Sequence, residues 1–469
     1  MPLHCFSKVR TNLRPLVRWE PDFLKLFLRL VLPMALQSLV GSTLHIVDGV
    51  MVSVLGDAPY AGVVQANRIT FIVQLFIFGA SSGAAIFCSQ FWGKGDVEGM
   101  RRVQGMTMRL TCGIGLLFLV AVLCAPRVAL GLFLQPGESF EYGLQYMMII
   151  LPLYLLNAVD AVFAMMLRSS GRAAIPMTAA ISAVVTNTCL NYAMIGGHWG
   201  FPPLGVRGAA YATVIATVVS LSINVGTSYV RKLAPAIRPR DFRLPERAFR
   251  RRFWKTIIPV VCNEGFWSIG VTMYSVVYSR MANADVVLAA VNLAGTVDQL
   301  IFVLGFGIMN ATSVIVGNSI GAQREEEAYL YAKRMLFVAA SAMLVMGAVL
   351  LLIRGTLVAQ FQLSGEARAM ALDVLFIAAF FLSIRAFNAV NVVGVLRAGG
   401  DTVFSMLLDV GALWLVGVPL VAVCGLVLGW PARFVYLATC VEEGIKVLIG
   451  LPRFLSRKWL RNLVHDASM

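Results

Sequence analysis

Twelve long apolar stretches follow one another along this chain, and they restrict its fold more than any other feature. Each holds about 18 or more largely apolar residues, enough for an α-helix to cross roughly 30 Å of hydrocarbon. Hydrophobic residues make up 59% of the chain and charged residues 13%, a balance that excludes a soluble globular protein. We therefore predict an all-α polytopic membrane protein. The predicted spans are 27–54, 64–91, 110–134, 144–167, 174–196, 206–230, 256–279, 286–316, 335–353, 370–396, 403–428 and 432–451.

The basic residues explain the net charge of +15 through their position. Lys and Arg lie mainly before the first span and after every even-numbered span, and the connection 231–255 is the most basic of all. By the positive-inside rule, both termini and this connection are cytoplasmic. Basic residues at the cytoplasmic membrane surface indicate contact with anionic lipids, and we expect no binding of nucleic acid.

The second half of the chain repeats landmarks of the first. The segments "MLRSSGRAAIPM" and "VLRAGGDTVFSM" place Arg168 and Arg397 229 residues apart, each after a long apolar run. Similar segments, "FGASSGAAIFCSQFWGKGD" and "FGIMNATSVIVGNSIGAQR", begin at Phe78 and Phe306. Because each half has an even number of spans, the halves are parallel repeats with the same orientation. Two like bundles with a cleft between them suit alternating access, so we predict a transporter.

The repeat divides the chain into two six-helix lobes with flanking segments. The eight cysteines show no metal-ligand spacing, and no catalytic motif such as HExxH or GxxxxGK[ST] is present, so we predict no enzyme and no cofactor. The predicted parts are a basic cytoplasmic segment (1–26), the N-terminal lobe (27–230), a basic cytoplasmic loop (231–255), the C-terminal lobe (256–451) and a cytoplasmic tail (452–469).

Four polar residues of the N-terminal lobe are predicted to form one site. Counted along their helices, Asp48, Asn191 and Thr213 lie at nearly one depth, roughly 8–10 Å from the outer boundary. Asn187 lies one turn deeper, on the same face as Asn191. A carboxylate, two amides and a hydroxyl at one level suit a small hard cation or a hydrated proton. The alternative is plain hydrogen bonding between helices.

Ionisable residues also fall within the predicted spans of the C-terminal lobe. Glu264 and Arg385 differ in depth by only about 6 Å, so one interpretation pairs them. In the other, Glu264 faces the cleft and meets a cationic substrate. Asp298 is a further candidate for the cleft. Each such residue is costly at a helix centre and is therefore a candidate for function.

Several segments together resemble the multidrug and toxic compound extrusion (MATE) transporters across nearly the whole chain. This resemblance implies export of organic cations and other amphiphiles, driven by sodium or proton entry. The family's cation-site positions fall on Asp48, Asn187, Asn191 and Thr213, and Glu264 matches an acidic position of the seventh helix in one branch. The matching segments are "HIVDGVMVSVLG", "SQFWGKGD", "GVRGAAYAT", "VLRAGGDT" and "SRKWLRNL".

The chain also departs from the family pattern. Asn191 stands where some members have aspartate, and the tenth helix offers Arg385, Asn388 and Asn391 in place of an acidic residue. These departures argue against a sodium site in the second lobe and leave the coupling ion open. We place Asn388 and Asn391 with the substrate cleft.

Two other functions remain as alternatives, a lipid-linked oligosaccharide flippase of the same superfamily and a membrane-embedded transferase. The partners we expect are amphiphilic small molecules and membrane lipids. We expect a monomer in the plasma membrane, which would be the inner membrane of a Gram-negative bacterium.

Overall fold

The computed structural model describes residues 21–243, 245–361 and 363–465, and within these ranges the chain is helical and without strands. Most of the predicted basic segment 1–26 and the last four residues of the predicted tail lie outside the described residues. In chain order, the helices of the first half are α1 (Pro21–Ser53), α2 (Asp57–Lys94), α3 (Val97–Cys124), α4 (Pro126–Gly131), α5 (Glu138–Ile150), α6 (Leu153–Ser169), α7 (Ala174–Gly196) and α8 (Val206–Val230).

The second half begins after a 3₁₀ turn at Pro239–Phe242. Its helices are α9 (Arg247–Tyr278), α10 (Ala284–Gly321), α11 (Glu325–Ala359), α12 (Gly365–Ala389), α13 (Thr402–Ala412), α14 (Val418–Ala422) and α15 (Ala432–Leu455). Three π-helical segments, Val390–Arg397, Leu413–Gly417 and Val423–Val427, extend α12, α13 and α14. Since α9 begins at Arg247, the predicted loop 231–255 is partly helical.

Ten of the twelve predicted spans fall on a helix or a continuous helical stretch of the described chain; the third falls on α3 and α4, and the fourth falls on the bent pair α5 and α6. By length and apolar composition, nine helices of the described residues can cross a membrane, or ten when α5 and α6 count as one span. The remaining two, α9 and α15, are long enough, with 32 and 24 residues. Both carry charged residues, which lower their apolar character.

Prolines account for the two spans that differ most from prediction. The third was predicted to run to residue 134, but α3 ends at Cys124, because Ala125 leaves the helical conformation before Pro126. The fourth is bent by 49° between α5 and α6, next to Pro152. Proline has no N–H to donate to the preceding turn, so it breaks or bends a helix.

The turns after Arg168 and Arg397 have the same backbone geometry. Gly171 N donates to Arg168 O at 2.9 Å, and Gly400 N donates to Arg397 O at 2.9 Å. The next residue of each turn bonds back to the leucine before the arginine, at 2.9 and 3.0 Å. Both glycines have positive φ, 73° and 88°, which a side chain would disfavour. The paired turns confirm the internal repeat.

A second pair of turns repeats in the same way after α2 and α10. Gly95 N donates to Trp92 O at 3.0 Å, and Gln323 N donates to Ile320 O at 3.0 Å. Gly95 and Gln323 both adopt the left-handed conformation, with φ of 80° and 60°. The two positions are 228 residues apart, close to the offset of the arginine turns.

The described chain separates into two compact units. The N-terminal unit comprises residues 36–264, and the C-terminal unit comprises residues 21–35 and 265–465. The divisions therefore fall inside α1 and α9, shortly after Pro33 and Pro259, and not in the loop 231–255. The C-terminal unit therefore contains the first part of α1, and the N-terminal unit contains the first part of α9.

Two equivalent glycines show how each unit holds this exchanged helix segment. In the N-terminal unit, a Cβ built at Gly79 of α2 would lie 3.0 Å from Val261 Cα of α9. In the C-terminal unit, a Cβ built at Gly307 of α10 would lie 2.6 Å from Ala35 Cβ of α1. Small residues let helix backbones approach closely, and the repeat uses this contact twice.

Candidate functional site

A hydrogen-bonded network inside the N-terminal unit joins side chains of α1, α7 and α8. Asn191 Nδ2 donates to Asp48 Oδ1 at 2.5 Å and to Asn187 Oδ1 at 3.0 Å. Asn187 Nδ2 donates to Thr213 Oγ1 at 3.4 Å, and the Thr213 hydroxyl donates to Ala209 O at 2.9 Å. The structure thus brings together the four residues singled out in this lobe. We call them the Asp48 network.

The two asparagines of the Asp48 network are buried, and one of their amide oxygens has no donor. Asn187 and Asn191 share one face of α7, four residues apart, and both are fully buried. Asn191 Oδ1 has no hydrogen-bond partner. A buried oxygen without a donor is costly. A cation or a protonated group next to Asn191 would satisfy it.

Sequence reasoning missed Tyr146 of α5, which belongs to the same network. The buried Tyr146 hydroxyl lies near the Asn67 and Thr213 side chains and close enough to Asp48 for an electrostatic interaction. The sequence places Tyr146 near the outer end of the fourth predicted span, at a depth similar to that of Asp48. That position does not show which way the side chain points, so the sequence could not assign Tyr146 to the site.

Asp160 of α6 is a contrasting intramembrane carboxylate. Ser220 Oγ donates to its Oδ2 at 3.0 Å, and Asn224 Nδ2 donates to its Oδ1 at 2.8 Å. Both donors belong to α8. Because each carboxylate oxygen has a partner from one neighbouring helix, Asp160 ties α6 to α8 and is not part of the Asp48 network.

Arg385 of α12 pairs with Asp298 of α10. Its Nη1 lies 2.6 Å from Asp298 Oδ2, and its guanidinium lies over the Phe302 ring, 5.4 Å from the centroid. Of the two interpretations left open by the sequence, the structure therefore does not support the one that pairs Arg385 with Glu264. The depth of a residue along its helix does not show which way its side chain faces, because that depends on the rotation of the helix about its axis. In the structure, Asp298 and Phe302 lie one turn apart on α10, and both contact Arg385.

The other residues assigned to the cleft lie in different places. Glu264 belongs to the N-terminal unit, where its Cγ would lie 3.4 Å from a Cβ at Gly79. Asn388 and Asn391 are buried inside the C-terminal unit, and Asn388 Nδ2 donates to Glu443 Oε2 at 2.7 Å. Their place in a substrate cleft remains a prediction.

Sequence reasoning also left out three charged residues of α15, Glu442, Glu443 and Lys446. They contact one another and Asp409 of α13. A signal was present: three ionisable residues at positions i, i+1 and i+4 interrupt the predicted span 432–451. Because each costs about 2.5–3.5 kcal/mol at a helix centre when charged, such a group is expected to interact internally.

Comparison with known proteins agrees with this arrangement. The sequence model of the MatE family matches residues 33–193 and, a second time, residues 262–423. The chain belongs to the MatE family. It is a multi-pass membrane transporter in this family of multidrug efflux proteins, and the two matches coincide with its two repeats.

Relatives of the MatE family resemble the chain over almost its full length. A "Probable multidrug resistance protein NorM" of Thermotoga maritima is 24% identical over 462 residues, covering 95% of each chain. A solved structure described as the outward-facing conformation of a multidrug resistance MATE family transporter has a TM-score of 0.84 and 21% identity, covering 94% of this chain and 98% of that one. A transporter of the wider MOP superfamily from Pyrococcus furiosus, whose description reports a binding pocket of reverse polarity, also has a TM-score of 0.84 and 21% identity, covering 95% of this chain and 97% of that one. At these identities the structural likeness establishes the fold.

Proposed function

We propose that this protein is an antiporter that exports amphiphilic, cationic small molecules in exchange for sodium ions or protons. The Asp48 network is its coupling site. The observation that carries the proposal is the placement of Asp48 against a buried amide, Asn191, whose own oxygen has no donor. A carboxylate and an amide oxygen in a buried site attract a small cation or a proton.

Binding at this site would change the charge of the N-terminal unit. With Asp48 ionised the network carries one negative charge, because its other members are neutral amides and hydroxyls. A bound proton or sodium ion cancels that charge. Such a cancellation gives the two states of a transport cycle different electrostatic energies, which a gradient of the ion can exploit.

The Arg385–Asp298 pair supports a transporter of cations over the flippase alternative. A flippase for a pyrophosphate-linked substrate needs basic groups that are free to meet phosphate. Arg385 is instead neutralised by Asp298. The transferase alternative has no support from the family match, since the MatE family consists of transporters.

The test replaces Asp48 by asparagine in purified protein reconstituted into vesicles. We expect Asp48→Asn to abolish uptake of a lipophilic cation driven by an imposed pH or sodium gradient, because an amide cannot bind either ion in place of the carboxylate. Separate pH and sodium gradients identify the coupling ion. Asp57→Asn, at the exposed start of α2, is the matched control and should transport normally. Gradient-driven transport by the Asp48→Asn protein would contradict the proposal.

A further inference from the structure

A second group of ionisable residues lies in the C-terminal unit, between α13 and α15. Lys446 Nζ lies 3.0 Å from Asp409 Oδ1 and 3.4 Å from both Glu442 Oε1 and Glu443 Oε1. The Lys446 side chain is 4% exposed, and the three carboxylates are 8–15% exposed. One buried ammonium thus faces three largely buried carboxylates. We call these four residues the Lys446 cluster.

The charges of the Lys446 cluster do not balance. Arg385 is near enough to Glu443 for an electrostatic interaction, but its own charge is matched by Asp298. With all acids ionised, the four carboxylates named here, Asp298, Asp409, Glu442 and Glu443, outnumber the two cations Arg385 and Lys446 by two. Excess charge away from water is costly, and such a group takes up a proton in preference to remaining ionised. Neutral phenols and a thiol also interact with this region: Tyr274, Tyr278, Tyr436 and Cys440.

Neutral groups donate hydrogen bonds to the Oε2 atoms of Glu442 and Glu443, whose Oε1 atoms face Lys446. The Tyr274 hydroxyl of α9 donates to Glu442 Oε2 at 2.8 Å. Asn388 Nδ2 of α12 donates to Glu443 Oε2 at 2.7 Å and to the Glu443 carbonyl oxygen at 2.8 Å. Gly417 makes room for the first contact, because a Cβ there would overlap both Tyr274 and Glu442. Helices α9, α12, α13 and α15 therefore converge on the cluster.

Two buried asparagines point to a ligand that is absent from these contacts. Asn388 Oδ1 has no hydrogen-bond partner although its amide touches Glu443. Asn391, one turn further on, is fully buried, and neither of its amide atoms has a partner. Its Nδ2 would lie 2.9 Å from a Cβ at Gly450, on the α15 face that carries Lys446 four residues earlier. Asn391 also lies in the π-helical segment Val390–Arg397, and π-helical turns are frequent at functional sites.

A proton on one of the acids would add a hydrogen-bond donor to this region. An ionised carboxylate only accepts hydrogen bonds, whereas a carboxylic acid also donates one. Asn388 Oδ1 and Asn391 Oδ1 are two buried acceptors without a donor, so the region lacks donors while its acids are ionised.

A metal ion fits the cluster less well than a proton. The Lys446 ammonium already occupies the centre of the three carboxylates, so a metal ion would be repelled by it or would have to displace it. Among the described residues, no group of three or more His, Cys, Asp or Glu side chains has the geometry to hold a metal ion. A proton needs no such space, since it passes from hydronium to one carboxylate oxygen and leaves water behind.

We propose that the Lys446 cluster is a second proton-binding site, in the C-terminal unit and separate from the Asp48 network. Proton binding here does not depend on the proposed function. The further claim that the cluster loads and releases its proton during transport does rest on it. The cluster then contributes to the number of protons that cross per substrate molecule.

The first experiment measures proton binding without transport. Infrared spectra of the purified full-length protein, recorded across a pH series, report the carbonyl band of protonated carboxylic acids. We expect Glu442→Gln, Glu443→Gln and Asp409→Asn each to remove part of the pH-dependent band that remains in an Asp48→Asn background. Asp373→Asn is the matched control, because Asp373 is half exposed and pairs with Arg433 in the same unit. A band that none of the three cluster variants alters would overturn the proposal.

The second experiment counts protons per substrate in vesicles under a pH gradient. We expect Glu443→Gln to lower the ratio of protons to substrate while Asp373→Asn leaves it unchanged. If neither the Glu443→Gln protein nor the Asp373→Asn protein transports, the proposed function fails. The infrared result then still decides whether the cluster binds protons. If both transport with the same ratio, the role in the cycle is excluded. The three separate substitutions, each nearly isosteric and checked by thermal unfolding, keep the test valid should one variant fail to fold.

Discussion

Asp298 and Arg385 neutralise each other, and this changes the role left for Glu264. The sequence offered three ionisable candidates for recognising a charged substrate, and the ion pair of 2.6 Å accounts for two of them. Glu264 is the acidic candidate that remains, partly buried beside Gly79 of α2. If the protein exports cations as proposed, this carboxylate is the residue that would favour a positive substrate over a neutral one.

Replacing Glu264 by glutamine should therefore affect substrates according to their charge. We expect Glu264→Gln to weaken transport of a cationic dye by roughly tenfold or more, since a hydrogen bond or ion pair to a desolvated charge contributes about 1.5–3 kcal/mol. A neutral amphiphile should be transported almost as before. Paired efflux assays in the same cells measure both, with Glu246→Gln, exposed just before α9, as the control. Equal losses for the two dyes would make Glu264 a structural residue.

At the scale of helices, glycines set how closely the elements pack. Gly307 of α10 faces the backbone of α1 at Ala35, whereas Gly295, on the same helix, has no atom within 4 Å of the Cβ that it lacks. The two positions have the same backbone conformation but different surroundings. They separate the effect of helix packing from the intrinsic preference of glycine and alanine.

Alanine at these two positions should consequently have opposite effects. Gly307→Ala places its Cβ 2.6 Å from Ala35 Cβ, so α1 and α10 must move apart, at a cost of about 1–3 kcal/mol. Gly295→Ala should leave stability unchanged or raise it, because alanine favours the helix by up to about 1 kcal/mol. Thermal unfolding in one detergent measures both variants. Equal melting temperatures for the two would show that the α1–α10 contact is looser than the structure indicates.

For the whole molecule, the parallel repeat and the distribution of charge predict one topology. An even number of spans in each half brings both termini to the same side, and the Lys- and Arg-rich connections place that side in the cytoplasm. We therefore expect the paired turns after Arg168 and Arg397 to lie at the cytoplasmic surface. On the same prediction, Gly137, ahead of α5, is expected at the opposite surface.

Cysteine labelling tests this topology directly. In a chain whose native cysteines are replaced, Arg231→Cys should react with a membrane-impermeant maleimide only in inside-out vesicles. Gly137→Cys should react only in right-side-out cells. Both positions are exposed in the structure, so poor access would not explain a missing signal. Retained efflux of a cationic dye checks that each variant is folded. Labelling of both positions from one side would contradict the predicted topology.

The sequence alone determined the features that follow from one-dimensional patterns. Apolar length predicted the helices, because a span must cross a hydrocarbon layer of known thickness. The offset of 229 residues between Arg168 and Arg397 predicted the repeat, and the structure confirms it in matching turns. Depth counted along the helices also placed Asp48, Asn187, Asn191 and Thr213 at one level, and the structure has them in contact.

Only the tertiary structure decided which side chains face each other. Depth gives a position along the helix axis, but partners depend on rotation about that axis, which one sequence does not contain. For this reason the sequence left open whether Arg385 pairs with Glu264, whereas its partner in the structure is Asp298. For the same reason the Lys446 cluster escaped notice, since α13 and α15 bring Asp409 and Glu442 to one ammonium from positions 33 residues apart. Close packing of helices, made possible by glycines such as Gly307 and Gly417, sets those rotations.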